Sequence, residues 1–309
     1  LQTQSMTIVK AQDESLLDIQ ARFIRSLERS GRLDRDVEFL PDDETLSDME
    51  RNNQGLTRPE IAIVMPYAKL WMYDEILASD LPDAKELKQD LVDYFPTPLR
   101  GKYRSEIEQH RLRREIIATV ITNSMINRVG GTFVTNLMEK SGSSPIDIAR
   151  AYIAVRDAFD LESIWGDIEG LDNVVSADTQ VTLLLDVNQL IERATLWLLR
   201  HSPQPIDIRK SVQEFKSGIQ ALSDNIGEIT PKAVAERVDY RANRYERSGI
   251  PKALANRAAY LLLLVSALDI IRTSNACKMN QKETAKLYFR IGEEFGLGWL
   301  RYSAEKLPT

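Results

Sequence analysis

The residues of this chain that could do chemistry are few and scattered. Two glycine-bearing runs, Arg128-Val-Gly-Gly131 and Gly292-Glu-Glu-Phe-Gly-Leu-Gly298, have the composition of a turn that cradles a pyrophosphate. Such a turn works between a strand and a helix, where backbone amides and the helix N-terminus face the phosphates. Both runs instead follow helical patterns, so each reads as a helix end and a turn. A metal needs several convergent ligands. The two histidines, His110 and His201, have no acidic or thiol partner at ligand spacing, and Cys277, the one cysteine, lacks a CxxC partner. His201 suits the negative end of a helix dipole. Asp42-Asp43-Glu44 reads as the start of a helix rather than a metal site. From these residues no catalytic, cofactor-binding or metal-ligating set can be assembled.

What remains is a candidate interface. His110-Arg-Leu-Arg-Arg114 is a basic run whose plain reading is a solvated helix face paired with Glu106, Glu108 and Glu115. Its functional reading is an electrostatic contact to another domain or subunit. Asn123, Asn127 and Arg128 continue the same helix among apolar residues, and buried polar groups of that kind must find partners. Arg111, Arg113, Arg114, Asn127 and Arg128 are therefore the candidate interface residues.

The elements that position these residues are helices. Thr57-Arg-Pro-Glu60 pairs a capping hydroxyl with a glutamate three residues on and proline in the first turn. Ser144-Pro145, Thr230-Pro231 and Asn280-Gln-Lys-Glu283 give further starts, and Gly31, Gly130, Gly142, Gly170, Gly227, Gly249 and Gly296 further ends. Ile61, Met65, Ala68, Met72 and Ile76 form one continuous helical face, with Pro66 placed to kink it. Leu112, Ile116 and Val120 form one row beside a second, Ile117, Ile121 and Met125. Ser176–His201 runs without Gly or Pro, so its strand-like Val181–Val187 reads as helix. No alternating strand or Asn-Gly hairpin signal stands out. The expected fold is all-α, a multi-helix bundle of roughly ten or more helices with no Rossmann sheet. Its expected segments are a helical leader at 1–53, a first bundle at 54–203 and a second at 204–309, with the seam at Pro203–Pro205. In the leader, a helix over about Leu16–Ser30 precedes a short acidic one after Pro41.

Bulk composition removes several function classes. Forty Lys and Arg against 46 Asp and Glu give a formal charge of −6, which disfavours nucleic acid as a partner. Ala258–Leu268 is the most apolar run and falls far short of the ~20 residues of a membrane span, so it reads as a buried core helix and no membrane is expected. A single cysteine fits a reducing, cytoplasmic compartment. The opening LQTQSMTIVK has no signal-peptide pattern and begins without Met, which suggests a piece of a longer protein.

Several separated phrases carry a resemblance. They are FIRSLERSGRLDRDVEFLPDD (Phe23–Asp43), GLTRPEIAIVMPYAKL (Gly55–Leu70), YDEILASDLP (Tyr73–Pro82) and YFPTPLR (Tyr94–Arg100), followed by HRLRREIIAT (His110–Thr119), NRVGGTFV (Asn127–Val134), IERATLWLLR (Ile191–Arg200) and LYFRIGEEFGLGWL (Leu287–Leu300). In this order, and over nearly the whole chain, they resemble the region after the catalytic domain of the large bacterial NAD-specific glutamate dehydrogenases. The resemblance implies a full protein that oxidises L-glutamate to 2-oxoglutarate and ammonia with NAD as hydride acceptor. It also implies that the catalytic lysine and aspartate and the NAD fold lie upstream of Leu1, with no cofactor in this stretch. The implied partners are the upstream catalytic domain and further copies in a homo-oligomer, and the implied role is structural, assembly or regulatory. The alternative is a stand-alone α-helical interaction module without enzymatic activity.

Overall fold

The computed structural model describes the backbone of residues 2–297 and the side chains of residues 16–297. Among these residues there are seventeen α-helices, two 3-10 turns and no strand, so the all-α expectation holds. The chain divides into two units, Leu1–Ile153 with Leu198–Arg209, and Ala154–Trp197 with Lys210–Thr309.

The helices of the first stretch are α1 (Gln2–Arg29), α2 (Asp43–Arg51), α3 (Arg58–Ala78), α4 (Lys88–Tyr94), α5 (Thr97–Arg100), α6 (Arg104–Glu108), α7 (Arg113–Val129), α8 (Phe133–Ser141) and α9 (Pro145–Ala158). They start where the sequence provides caps. Glu60 accepts from the Thr57 amide at 2.5 Å, the Asp42 carboxylate accepts from Thr45 N at 2.8 Å, and Ser144 Oγ accepts from Asp147 N at 3.1 Å. Side chains of α1, α2 and α3 share one apolar cluster that includes Phe23, Ile24, Leu27, Leu46, Leu56, Ile61, Met65 and Ala68. Leu17–Leu46 of the expected leader thus share the core of the same unit as α3. α1 starts far earlier than Leu16, because the polar Gln2–Glu14 stretch continues the helix without a breaker. Every residue of the face Ile61, Met65, Ala68, Met72, Ile76 is buried, and α3 runs through Pro66, which lies on the exposed side. On α7 the row Ile117, Ile121, Met125 is buried, whereas Leu112 is exposed and Ile116 and Val120 are half-buried.

The α7–α8 turn shows what the paired glycines are for. Gly130 has φ +93°, a backbone region costly for side-chain-bearing residues. A Cβ on Gly131 would sit 3.1 Å from the Ala68 Cβ, so the missing side chain lets α3 and this turn approach closely.

The later helices are α10 (Leu161–Glu169), α11 (Ala177–His201), α12 (Ile208–Asp224), α13 (Ile226–Ile229), α14 (Lys232–Arg247), α15 (Lys252–Leu264), α16 (Ala267–Cys277) and α17 (Gln281–Glu294). Val181–Val187 lies inside α11. Asn280 caps α17 by accepting from Lys282 N and Glu283 N. Two local readings need correction. Thr230 does not cap α14, because its hydroxyl donates back to the Ile226 carbonyl at 2.9 Å and Pro231 takes the cap position. Gly227 lies within α13 rather than at a helix end. The apolar run 258–268 is likewise divided, between α15 and α16, which bend by 58°. Leu261, Leu264, Ala267 and Leu268 are buried in the unit, and no single described helix is long and apolar enough to cross a membrane.

Long-range polar contacts order this second unit. Asp186 on α11 holds both the Arg241 guanidinium and the Tyr245 hydroxyl of α14. Burial, then the hydrogen bond to Asp186, pushes the Tyr245 phenol up to about 12. The Trp197 indole donates to Asp269 at 2.7 Å, and Arg272 lies 4.6 Å from the Trp197 ring centre. Gly218 permits the closest packing, since a Cβ there would come within 2.7 Å of the Ile271 side chain.

The unit boundaries fall inside α9, α11 and α12.

Candidate functional site

The five sequence-derived interface residues lie on or beside α7 and fall into two groups. Arg111, Arg113 and Arg114 are at its start, while Asn127 and Arg128 are in its last turn, about 20 Å away at ~1.5 Å per residue. Arg111 is exposed. Arg113 and Arg114 converge on Asp83, Arg113 at 3.4 Å. Arg114 also donates to the carbonyls of Leu77 and Ser79 at 2.9 and 2.8 Å. Those carbonyls belong to the end of α3, where acceptors have no helical partner and the dipole is negative, so Arg114 acts there as a C-terminal cap. The glutamates expected to neutralise this run serve other cations in part, with Glu108 binding Lys88 at 3.3 Å and Arg104 at 3.0 Å. Asn127 and Arg128 are half-buried and engaged in interactions of their own.

The other candidates have structural surroundings. His110 Nδ1 accepts from the Leu112 amide at 3.1 Å, and its ring meets Phe95 edge-on at 5.7 Å. His201 is the last residue of α11, and Cys277 is exposed at the end of α16. Gly292 lies within α17, Gly296 follows that helix, and Gly298 lies outside the described residues. Among the described residues, no group of three His, Cys, Asp or Glu converges to hold a metal ion.

A concave region at the end of α1 was not singled out from the sequence. Two open clefts, of about 790 and 630 Å³, flank the end of α1 and share Glu28, Arg35 and Asp43. Arg35 is only 9% exposed. Its fork engages both Glu28 oxygens, one at 3.0 Å, and it also donates to Asp43 at 3.0 Å and the Pro41 carbonyl at 3.1 Å. The loop 31–41 closes over this network. Arg32 pairs with Asp74 at 2.6 Å, the Tyr67 hydroxyl donates to Glu38 at 2.5 Å, and Leu33 and Leu40 are buried. The loop leaves Val37 and Phe39 exposed, by 67% and 89%, with Phe39 at φ +53°. The clue available in the sequence was a charge-dense phrase, Leu33–Asp43, with two apolar residues set between acids.

Charged side chains dominate both clefts. Carboxylates outnumber guanidinia in the larger cleft, where Asp34, Asp36, Glu38 and Asp42 stand beside the Glu28–Arg35–Asp43 network, while arginines and acids are nearly balanced in the other. The hydrogen bonds from Arg35, then Arg25, hold the Asp43 carboxyl below its ordinary range. Its contribution to stability is therefore complete above the ordinary carboxylate value near ~3.9 and is lost as pH falls through the lower folded-state value. An Asp43→Asn variant is expected to melt below the parent at neutral pH, with the gap closing as pH falls through the lowered folded-state value. Thermal unfolding followed across that range checks this, and a gap unchanged at acid pH would contradict it.

Residues 53–309 match the family described as "Glutamate dehydrogenase, C-terminal". The chain is 34% identical over 308 residues to an NAD-specific glutamate dehydrogenase of Halomonas elongata and 35% identical over 308 residues to that of Pseudomonas aeruginosa. Identity to the Mycobacterium tuberculosis NAD-specific glutamate dehydrogenase is 32% over 310 residues. Each match covers 99–100% of this chain but only 19% of the relative, so the chain spans about one fifth of the length of these proteins. With a family match over most of its length, the chain belongs to the glutamate dehydrogenase C-terminal family.

Proposed function

We propose that this chain is the C-terminal, non-catalytic helical domain of an NAD-specific glutamate dehydrogenase. The whole enzyme converts L-glutamate, NAD and water to 2-oxoglutarate, ammonia and NADH. The observation that carries the reading is the end-to-end match of the chain to one fifth of each NAD-specific relative. Consistent with it, Gly130-Gly131 joins two helices and receives α3, an arrangement unlike the strand-to-helix turn of a dinucleotide site.

In this reading NAD binds upstream, and the domain acts through packing. A helical body docked on the catalytic part restricts how far the catalytic lobes open, and opening often governs turnover in enzymes that close over substrate. The enzyme is read as cytoplasmic, which the single, unpaired Cys277 suits, and as homo-oligomeric. Removing the segment equivalent to this chain from the full-length polypeptide is expected to lower kcat for glutamate oxidation at least about tenfold or to break the assembly. Steady-state kinetics and analytical ultracentrifugation read the two effects. Unchanged turnover with unchanged assembly would overturn the proposal.

A further inference from the structure

We infer that the loop Gly31–Pro41 is a docking finger that seats Val37 and Phe39 in the polypeptide preceding Leu1. The inference rests on the reading that this chain is the tail of a longer enzyme. Three observations meet at the loop.

The first is its exposure pattern. Leu33 and Leu40 fill the core, so the loop has buried the apolar groups that its own folding requires. Val37 and Phe39 face outward all the same. An aromatic residue with a positive φ is also strained, and such strain persists only where surrounding contacts impose it.

The second is rigidity. The fork of Arg35 on Glu28, its bonds to Asp43 and the Pro41 carbonyl, the Arg32–Asp74 pair and the Tyr67–Glu38 hydrogen bond fix the loop from both sides. Apolar anchors held in place before contact lose little freedom on binding, which is how a small patch gains affinity. Asp34, Asp36, Glu38 and Asp42 line the larger cleft with Val37, and Glu38 stands between the two anchors in the chain. The receiving surface is therefore an apolar pocket with basic groups at its rim.

The third is position along the chain. The family match begins at residue 53, so the loop lies on the N-terminal side of the matched span. Most of each relative lies outside the span matched here. An upstream partner is covalently tethered, and tethering raises its effective concentration, so two anchors suffice. A second copy of this chain lacks that advantage and needs on the order of 1,000 Å² of well-packed interface, which two side chains do not supply.

The test uses the full-length enzyme carrying Phe39→p-benzoylphenylalanine. After irradiation and digestion, mass spectrometry identifies the peptide joined to position 39. The expected adduct is a peptide from upstream of the segment equivalent to Leu1. Adducts confined to residues 1–309, whether from the same or a second copy, overturn the inference, as does light-independent background alone. In the same enzyme, Val37→Ser with Phe39→Ser is expected to speed tryptic cleavage at Arg32 and Arg35 at least tenfold, and an unchanged rate counts against docking. NAD-linked glutamate oxidation by the cross-linker-bearing enzyme separates the two ideas. Absent activity in the unmodified parent defeats the functional reading, whereas full activity with misplaced adducts defeats only the finger.

Discussion

Asp186→Ala is expected to destabilise the chain by about 3–5 kcal/mol, the usual cost of removing one member of a buried charged pair. The Asp186 side chain is 10% exposed and that of Arg241 30%, so the guanidinium retains some water and the lower half of that range applies. The variant leaves two groups without their acceptor, the Arg241 guanidinium and the Tyr245 hydroxyl. Tyr245→Phe removes a hydroxyl that donates to Asp186 and accepts from Arg241 Nε at 3.3 Å, but leaves the ion pair in place, and is expected to cost about 1 kcal/mol. Adding Arg241→Met to Asp186→Ala restores part of the loss, because the orphaned charge goes with it. Urea unfolding of the four proteins measures these differences. A loss under about 1 kcal/mol for Asp186→Ala would show that this contact does not tie α11 to α14.

Arg35→Ala is expected to cost about 2–4 kcal/mol, since hydrogen bonds to charged groups and a mostly buried guanidinium are lost together. Four contacts disappear in one substitution, two to Glu28 and one each to Asp43 and the Pro41 carbonyl. Arg35→Lys is not expected to rescue, because an ammonium cannot reproduce a fork that meets both oxygens of one carboxylate while bonding elsewhere. Hydrogen exchange at the Glu38 and Leu40 amides reports the local effect. Both amides donate to loop carbonyls, of Asp34 and Arg35, at 3.1 Å. Their exchange is expected to accelerate in both variants, and a lysine variant with native stability and native exchange would contradict this view of the loop.

The elements legible in the sequence are those set by near neighbours. Thr57 and Glu60, Ser144 and Asp147, and Asn280 and Glu283 are three residues apart, so their caps need no knowledge of the fold. The buried face of α3 follows from helical period alone. Partnerships across the chain were hidden for the opposite reason. Arg113 and Arg114 have glutamates within a few residues, yet the fold brings them to Asp83, thirty positions away. The full length of α1 was missed because a polar stretch carries no core signal. Thr230 misled because a hydroxyl before proline can turn back to the preceding helix as readily as it caps the next.

The clefts show the same limit more sharply. Glu28, Arg35 and Asp43 look like ordinary surface charges in the phrase that contains them. Only the turn of the chain after α1 makes Arg35 a buried hub, and only the packing of that loop on α3 leaves Phe39 outward. The resemblance named the family because it is spread over eight phrases, but it could not say which residues meet.

Incubating the isolated chain with L-glutamate and NAD, and following NADH absorbance, tests the central claim most directly. A helical tail whose catalytic groups lie elsewhere is expected to give no rate above the protein-free blank. A sustained, glutamate-dependent rate proportional to chain concentration would contradict the account, since it would require a coenzyme site and a proton-transfer group within these residues.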